Sequence, residues 1–196
     1  MARTEAPRST AEARREKAVA CAVPVFAKMG YHATPVADVA AAAGISQAYV
    51  FRLFDGKLGL FVAAVDRCHR LIEDALRLGA EKASGDSPAE VLEAMGDAYA
   101  ELIADRSVLM MLVHAQSVAD IPEVRAAVQR GYASAVSLAH RLSGARGEQV
   151  QHFIAMGQLC HLIAALDLDS VDATWARTLT RGMYHPAPST PAPEGR

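Results

Sequence analysis

The sequence has few of the residues on which several protein classes depend. It contains three cysteines in 196 residues, and Cys21, Cys68 and Cys160 are too far apart and too odd in number to suggest a disulfide scaffold. We interpret them as small buried hydrophobic residues in a reducing compartment. No stretch reaches the roughly eighteen consecutive apolar residues of a membrane span, and the polar N-terminus lacks the apolar segment of a secretory signal. We therefore expect a cytoplasmic protein without membrane contact.

Motifs for catalysis and metal binding are also missing. The chain has no glycine-rich phosphate loop, no G-x-S-x-G and no recognisable paired carboxylates. Cys68-His69 and Cys160-His161 suggest a metal sensor, but neighbouring helical residues point about a hundred degrees apart. No C-x-x-C, H-x-x-x-H or H-E-x-x-H spacing occurs. The sequence predicts no enzyme, no metal site and no cofactor.

Helical periodicity is present along almost the whole chain. Apolar residues recur at three- and four-residue spacing, no segment alternates as a strand would, and no internal repeat is visible. The apolar content of 52% is enough for one large or two modest cores. The sequence predicts an all-α protein of about nine helices. Beyond two short helices in 36–54, we expect helices at about 11–29, 57–83, 88–105, 108–117, 122–143, 148–166 and 171–184.

The stretch from Val36 to Phe54 has the pattern of a helix-turn-helix. Gly44 ends the first helix, because glycine accepts the left-handed backbone found just past a helix end, and Ser46 can cap the second. The outward side chains near the start of the second helix suit a DNA major groove, since amides and arginines pair with base edges. They are Gln47, Ala48, Tyr49 and Arg52. The hairpin alone fits an ordinary helical bundle equally well.

The flanking sequence favours the DNA-binding interpretation. An amphipathic helix precedes GYHATPVADVAAAAGIS, and QAYVFRLFDGKLGLFVAAV follows it. Over residues 12–72 the chain resembles the TetR family of bacterial transcriptional regulators. The matching positions are Phe26, Gly30-Tyr31, Thr34, Val39-Ala40, Ala43-Gly44-Ile45-Ser46, Val50-Phe51, Phe54, Lys57 and Leu60.

The resemblance implies a set of contacts with double-stranded DNA. Thr34 would cap the second helix and touch a phosphate, and Lys57 would meet phosphate at the start of the fourth. The side chains that would face the major groove are Ser46, Gln47, Ala48, Tyr49 and Arg52. Phe51 stands where the family usually has a tyrosine that reaches the DNA backbone, and Leu53 where a histidine is common, so one backbone hydrogen bond is in doubt.

The same resemblance divides the chain into domains. We expect a flexible arm at 1–11 and a DNA-binding domain at 12–56. Arg3, Arg8, Arg14 and Arg15 could reach phosphates or a minor groove, although a solvated tail is the more plausible interpretation. A helical effector-binding and dimerisation domain would occupy 57–184, and a proline-rich disordered tail 185–196. Residues 1–70 hold ten Lys or Arg against six Asp or Glu, a net of +4, so the remainder carries −6. That asymmetry fits a DNA-facing first domain but is too mild to identify one.

Methionines and aromatic residues suggest where an effector would bind. The sixth helix is apolar on almost every side, which indicates burial between other helices. By resemblance, the second domain would bind a small effector, and few unpaired charges make an apolar or aromatic molecule the better fit. An ordinary core is the alternative. The candidate pocket residues are Met95, Tyr99, Met110, Met111, His114, Tyr132 and Phe153.

The eighth and ninth helices have apolar faces that the resemblance assigns to a homodimer interface. A two-fold dimer would present its recognition helices to an inverted-repeat operator. The candidate interface residues are Met156, Leu159, Cys160, Ile163, Trp175 and Leu179. The sequence thus predicts a ligand-responsive regulator, more plausibly a repressor than an activator, with a helical protein-interaction module as the alternative.

Overall fold

The computed structural model describes the backbone of residues 6–183 and the side chains of residues 11–183. Within this part of the chain there are nine α-helices, one 3-10 turn and no β-strand, so the predicted all-α class is confirmed. The helices are α1 (Ala6–Ala33), α2 (Val36–Ala43), α3 (Gln47–Leu53), α4 (Gly56–Glu81), α5 (Pro88–Ile103), α6 (Arg106–Ser117), α7 (Pro122–Ser143), α8 (Gly147–Leu166) and α9 (Thr174–Thr180).

Two helices, α1 and α9, differ from those predicted by several residues. Helix α1 begins at Ala6 and so includes half of the predicted arm at 1–11; the first five residues and the predicted tail at 185–196 lie outside the described residues. Helix α9 is shorter than predicted. Asp167 ends α8 in a left-handed conformation, and a 3-10 turn follows at Leu168–Ser170, where the Ser170 hydroxyl donates to the Asp167 carbonyl oxygen at 2.7 Å. Helix α9 begins only at Thr174, after an extended Val171 and Ala173, and ends at Thr180.

The predicted break at the end of the first helix is confirmed. Gly30 has φ 72° and ψ −174°, which no helical residue adopts, and it separates the main part of α1 from its last turn. Thr34 then donates its hydroxyl to the Gly30 carbonyl oxygen at 2.7 Å. This bond ties the chain across the break just before α2 begins.

The helices form two compact units. The N-terminal unit holds the described residues up to Cys68 together with Met111–Gln129, and the C-terminal unit holds His69–Met110 together with the described residues from Arg130 onward. The predicted boundary after residue 56 therefore does not coincide with the division in the structure. Part of α6 and the first turns of α7 pack with the N-terminal helices, a long-range association that periodicity does not reveal.

Aromatic rings at the centre of the N-terminal unit join α1 to α4. The rings of Phe26 and Phe61 meet edge to face with centroids 4.9 Å apart, and Tyr31 meets Phe61 at 5.1 Å. Such contacts add to the stabilisation from burial alone. Helix α2 packs on this core through residues at helical spacing: Val36, Val39, Ala40 and Ala43.

The C-terminal unit has its own core, built largely from α5, α6 and α8. The buried side chains of Ala100, Ile103, Leu109 and Cys160 form one cluster, against which Tyr99 packs. The His161 ring lies with Nε2 3.2 Å from the Leu109 carbonyl oxygen, and burial lowers the pKa of that imidazole. Helix α5 begins at the predicted place.

The start of helix α5 is fixed by a reciprocal cap between Ser87 and Glu90. The Ser87 hydroxyl accepts from the Glu90 backbone N–H, while the Glu90 carboxylate accepts from the Ser87 backbone N–H at 3.2 Å. The Glu90 carboxylate also accepts from the Ser87 hydroxyl, and this bond, together with the one from the Ser87 backbone N–H, lowers the pKa of Glu90. A cap and first-turn proline therefore set α5 locally, as the sequence predicts.

Candidate nucleic-acid interface

The turn between α2 and α3 has the predicted geometry. Gly44 adopts φ 69° and ψ 35°, the left-handed conformation that glycine accepts without strain. Its N–H donates to the Ala41 carbonyl oxygen at 3.1 Å, and the Ile45 N–H donates to the Ala40 carbonyl oxygen at 3.0 Å. These bonds satisfy the last carbonyls of α2 and turn the chain sharply into α3.

Ser46 caps α3, as predicted. Its hydroxyl accepts a hydrogen bond from the Tyr49 backbone N–H at 3.2 Å, while Ser46 itself is in an extended conformation. The cap satisfies one of the N–H groups that the first turn of a helix leaves unpaired. It also fixes where the exposed first turn of α3 begins.

Removing this cap should destabilise the protein measurably. Ser46→Ala is expected to lower the free energy of unfolding by about 1 kcal/mol, because the Tyr49 N–H loses its acceptor. Urea denaturation followed by circular dichroism measures the change. Ser46→Asn retains a capping oxygen and should lie close to the wild type; an equal loss in both variants would show that the cap contributes nothing.

Helix α3 is attached to the fold by few side chains. Val50 is fully buried, Phe54 just after the helix is also buried, and Leu53 is half-buried. The other side chains of α3 are exposed or half-buried. Gln47, Ala48 and Arg52 are exposed, Tyr49 is half-buried, and Phe51 is also exposed.

Two of the outward side chains are in contact with one another. The Arg52 guanidinium lies 5.8 Å from the centroid of the Tyr49 ring. A cation over an aromatic face is attracted to the ring electrons, and this limits the positions that the long arginine side chain samples. The exposed surface of α3 therefore carries a guanidinium near an aromatic ring.

The structure contradicts both parts of the role predicted for Thr34, the cap of α2 and the phosphate contact. Pro35, not Thr34, occupies the N-cap position of α2, and no side chain caps that helix. Thr34 is 0% exposed, and its hydroxyl donates to the Gly30 carbonyl oxygen. The irregular backbone at Gly30 leaves an acceptor that the threonine satisfies, so the hydroxyl faces inward and is not placed to meet a phosphate.

Lys57 lies against its own chain at the start of α4. Its Nζ donates to the His32 carbonyl oxygen at 3.0 Å and lies 5.1 Å from the centroid of the Tyr31 ring. Partial burial lowers the pKa of this amine. Both contacts join the first turn of α4 to the last turn of α1.

The predicted pocket residues do not share one unit. Met111 and His114 belong to the N-terminal unit, where the His114 ring lies against Gly30. The sequence prediction missed this division, because all these residues lie on apolar helices. The predicted residues of the C-terminal unit are Met95, Tyr99, Met110, Tyr132 and Phe153.

Aromatic and polar groups lie close together within the C-terminal unit. Tyr132 accepts a hydrogen bond from the Gln158 amide at 2.8 Å. Burial raises the pKa of Tyr99, and the nearby Tyr132 and Cys160 raise it further. Tyr99 and Tyr132 are half-buried and Gln158 is exposed, whereas Met95 is fully buried.

The predicted dimer face is partly wrong. Cys160 and Ile163 are buried within their own chain, so they are not available to a partner. The large apolar side chains that α8 leaves exposed are instead Leu162, 46% exposed, and Leu166, 59% exposed. Trp175 on α9 is 57% exposed, whereas Met156, Leu159 and Leu179 are half-buried. Periodicity identified the helix but not which of its two apolar faces meets the core.

Three further observations bear on metal binding, thiol chemistry and membrane insertion. Among the described residues, no three His, Cys, Asp or Glu side chains come together as metal ligands would. Burial raises the pKa of Cys160 to about 11. None of the helices described is both long enough and apolar enough to cross a membrane.

A capped short helix, seated by Val50 and Phe54 and exposed along its other side, has the arrangement of a helix-turn-helix. Residues 19–64 match the family model described as bacterial regulatory proteins, tetR family. This segment is therefore a TetR-family helix-turn-helix domain, which confirms the resemblance found in the sequence. No curated protein sequence matches the chain.

Solved structures extend the likeness to most of the chain. The TetR-like transcriptional regulator from Rhodococcus sp. RHA1 is 24% identical, with 85% of this chain and 90% of that chain covered and a TM-score of 0.61. FadR from Bacillus subtilis in complex with stearoyl-CoA is 15% identical, with 86% of this chain and 99% of that chain covered and a TM-score of 0.67. The TetR-like transcriptional regulator LfrR from Mycobacterium smegmatis in complex with proflavine is 22% identical, with 88% of this chain and 97% of that chain covered and a TM-score of 0.59. The chain has the fold of TetR-family transcriptional regulators.

Proposed function

We propose that this protein is a cytoplasmic, homodimeric transcriptional repressor that binds an inverted-repeat operator and leaves it when a small, largely apolar effector binds. The observation that carries the proposal is the composition of the outward surface of α3. An exposed amide and a small side chain at the start of a capped helix, and an exposed arginine in its last turn, lie on one outward surface inside a TetR-family domain. This surface has the donors and the small apolar group that major-groove recognition requires.

The residues in the proposed interface have different roles. Gln47 and Arg52 would pair with base edges, where an amide suits adenine and a guanidinium suits guanine. Ala48, Tyr49 and the exposed ring of Phe51 would meet thymine methyl groups or sugars. Ser46, at the N-terminus of α3, would meet the DNA backbone beside the helix start.

An effector site within the C-terminal unit accounts for its aromatic and polar groups. Tyr99 and Phe153 supply apolar rings, while Tyr132 and Gln158 supply a hydrogen-bonded pair that could orient a single polar group. Two structural neighbours are described as complexes with stearoyl-CoA and proflavine, both molecules with large apolar or aromatic parts. These observations support an effector of the same general character here.

The exposed apolar face of α8 and α9 supports the homodimer. Leu162, Leu166 and Trp175 are large side chains left substantially exposed by their own chain. Exposed apolar patches of this kind mark interaction surfaces. A two-fold copy of the same face would cover them and place two α3 helices on successive major grooves.

A single substitution on α3 tests the DNA-binding role. The wild-type protein should select an inverted repeat from a random duplex library. Arg52→Ala should weaken binding to that repeat by about 1–3 kcal/mol and relax the preference at one position in each half-site, because the guanidinium no longer pairs with a base. Arg141→Ala, an exposed arginine on α7, should leave both properties unchanged. Selection of no sequence by the wild type would contradict the proposed function and favour a helical protein-interaction module.

The homodimer has its own test on α8. Leu162→Glu places a charge in the middle of the proposed interface, where burying it without a partner is unfavourable. The variant should sediment with the mass of one chain, whereas the wild type and the surface control Leu142→Glu on α7 should sediment as two. A dimeric Leu162→Glu variant would show that this face does not form the interface.

A further inference from the structure

On α5, the hydroxyl of Tyr99 has no hydrogen-bond partner among the residues whose side chains the structure describes. The Tyr99 ring packs on the core of the C-terminal unit, against a cluster that includes Leu109 and Cys160. A tyrosine hydroxyl in such an apolar environment ordinarily has a partner. Because Tyr99 keeps part of its surface accessible, a small molecule can supply that partner.

Two glycines leave room beside the aromatic rings of α5 and α8. Apart from its own helix, a Cβ atom at Gly157 on α8 would meet a single heavy atom within 4 Å, the Cε1 atom of Tyr99 at 3.8 Å. A Cβ atom at Gly96 on α5 would likewise meet only Phe153 Cε2, at 3.9 Å. Each ring thus lies opposite a glycine of the other helix, at ordinary contact distance. Tyr99 therefore lies where both helices present rings and small residues, which suits the apolar body of a ligand.

The groups around the Tyr99 hydroxyl are uncharged at neutral pH. Burial raises the pKa of Tyr99, and Tyr132 and Cys160 raise it further, whereas a nearby cation would lower it. The pKa of Cys160 is itself raised to about 11, by burial and then by the carboxylate of Asp169. The Tyr99 phenol therefore stays protonated and can donate a hydrogen bond. An anionic ligand would meet neutral groups here, and the Asp169 charge would repel it.

The polar pair nearby favours a ligand that accepts a hydrogen bond. The Gln158 amide donates to the Tyr132 hydroxyl oxygen at 2.8 Å. A ligand that donates to this oxygen would have to compete with the amide. A ligand oxygen that accepts from Tyr99 meets no such competition.

We propose that the effector is an uncharged carbonyl compound, a ketone, ester or lactone on an apolar or aromatic body, and that its oxygen accepts a hydrogen bond from the Tyr99 hydroxyl. The inference rests on the proposed function, which it narrows from a largely apolar effector to a neutral one with a hydrogen-bond acceptor. The rings of Tyr99 and Phe153 would contact the body of the molecule. A carboxylate or ammonium group on the same body is disfavoured, because its charge would be removed from water without a partner.

A set of probes of similar size separates these chemical classes. Benzylacetone carries a ketone, phenylbutyrate a carboxylate, phenylbutylamine an ammonium group, and butylbenzene no polar group. Titration calorimetry with the full chain at neutral pH measures the affinity for each. Benzylacetone should bind at least about tenfold more tightly than phenylbutyrate and phenylbutylamine, since burial of an unpaired charge is costly.

Tyr99→Phe isolates the hydroxyl, because it keeps the ring. The variant should bind benzylacetone about three- to tenfold more weakly, the contribution of one neutral hydrogen bond, and should bind butylbenzene as the wild type does. Tyr31→Phe makes the same change in the N-terminal unit and should leave both affinities unchanged. Tyr99→Phe should also retain the melting temperature of the wild type, because it breaks no hydrogen bond within the described chain.

Each contrary outcome identifies the part that fails. Tighter binding of phenylbutyrate or phenylbutylamine than of benzylacetone would overturn the chemical class of the effector and leave an effector site in place. Equal affinities of Tyr99→Phe and the wild type for benzylacetone would overturn the role of Tyr99. A melting temperature several degrees lower in this variant would also overturn it, because the hydroxyl would then have a partner within the protein. Binding of no probe would contradict both this inference and the effector part of the proposed function, while selection of a duplex tests the operator part separately.

Discussion

Gly131→Ala is expected to lower the free energy of unfolding by about 3 kcal/mol. A Cβ atom at this position of α7 would overlap the Cγ, Nδ1 and Cδ2 atoms of His69 on α4. His69 is buried, and its ring also lies 6.0 Å from the Tyr132 ring, so the imidazole has little room to withdraw. The atoms that clash belong to the base of the ring, so a change of its angle does not remove the overlap.

Thermal and urea unfolding measure this effect against a matched control. Gly96→Ala introduces the same group into α5, where the nearest heavy atom is Phe153 Cε2 at 3.9 Å. It should be neutral or stabilising by up to about 1 kcal/mol, since alanine is a better helix former. For a chain of this size, Gly131→Ala should melt about 6–12 °C lower than the wild type.

The role of the imidazole can be isolated by a double variant. If the overlap with His69 is the cause, adding Gly131→Ala to His69→Ala should cost almost nothing further, because the two substitutions share one space. Equal effects of Gly131→Ala in the two backgrounds would contradict this explanation.

Gly30→Ala is expected to cost about 3 kcal/mol, for two separate reasons. With φ 72° and ψ −174°, residue 30 occupies a backbone region that is essentially restricted to glycine. A Cβ atom would in addition lie 2.9 Å from Nδ1 of His114 on α6. The substitution would therefore strain the break before α2 and press on its neighbour at the same time.

Gly44→Ala is the matched control for the backbone part of this cost. Gly44 also has a positive φ, but its ψ is 35° and no heavy atom would come within 4 Å of the added Cβ. Its substitution should cost about 1–2 kcal/mol, the ordinary penalty of a left-handed residue. A cost for Gly30→Ala no larger than this would show that neither the special backbone region nor His114 matters. In a cycle with His114→Ala, only the part of the cost that comes from the His114 ring should be relieved.

The features that local chemistry determines could be predicted from the sequence. Gly44 and Ser46 define the turn and the cap because their effects extend over only a few residues. Ser87 and Pro88 mark the start of α5 for the same reason. The outward residues of α3 follow from a period of 3.6 once the inward position of Val50 is known.

The errors came from contacts between distant parts of the chain. Thr34 has the composition of a helix cap, but the Gly30 carbonyl oxygen, left without a helical partner, binds its hydroxyl instead. Cys160 and Ile163 were assigned to a dimer because α8 is apolar on several sides, and periodicity cannot say which side faces the chain's own core. The grouping of Met111 with the N-terminal helices depends on tertiary packing alone.

Lys57 shows how a site prediction can identify the position but not its environment. Its spacing from α3 marks the start of α4, which the structure confirms. The sequence does not reveal the carbonyl of His32 or the ring of Tyr31, because both come from a segment some 25 residues earlier. Aromatic and carbonyl partners at such separations have no local signature.

Helix α3 is held in the fold by few side chains, so the residues on its outward surface can be replaced without loss of stability. A helix of seven residues is too short to form alone, so its conformation comes from Ser46, Val50 and Phe54. The side chains that would read DNA are not among these anchors. Under the proposed function, randomising Gln47, Ala48 and Arg52 should therefore change the operator preference while the scaffold that displays them keeps its stability.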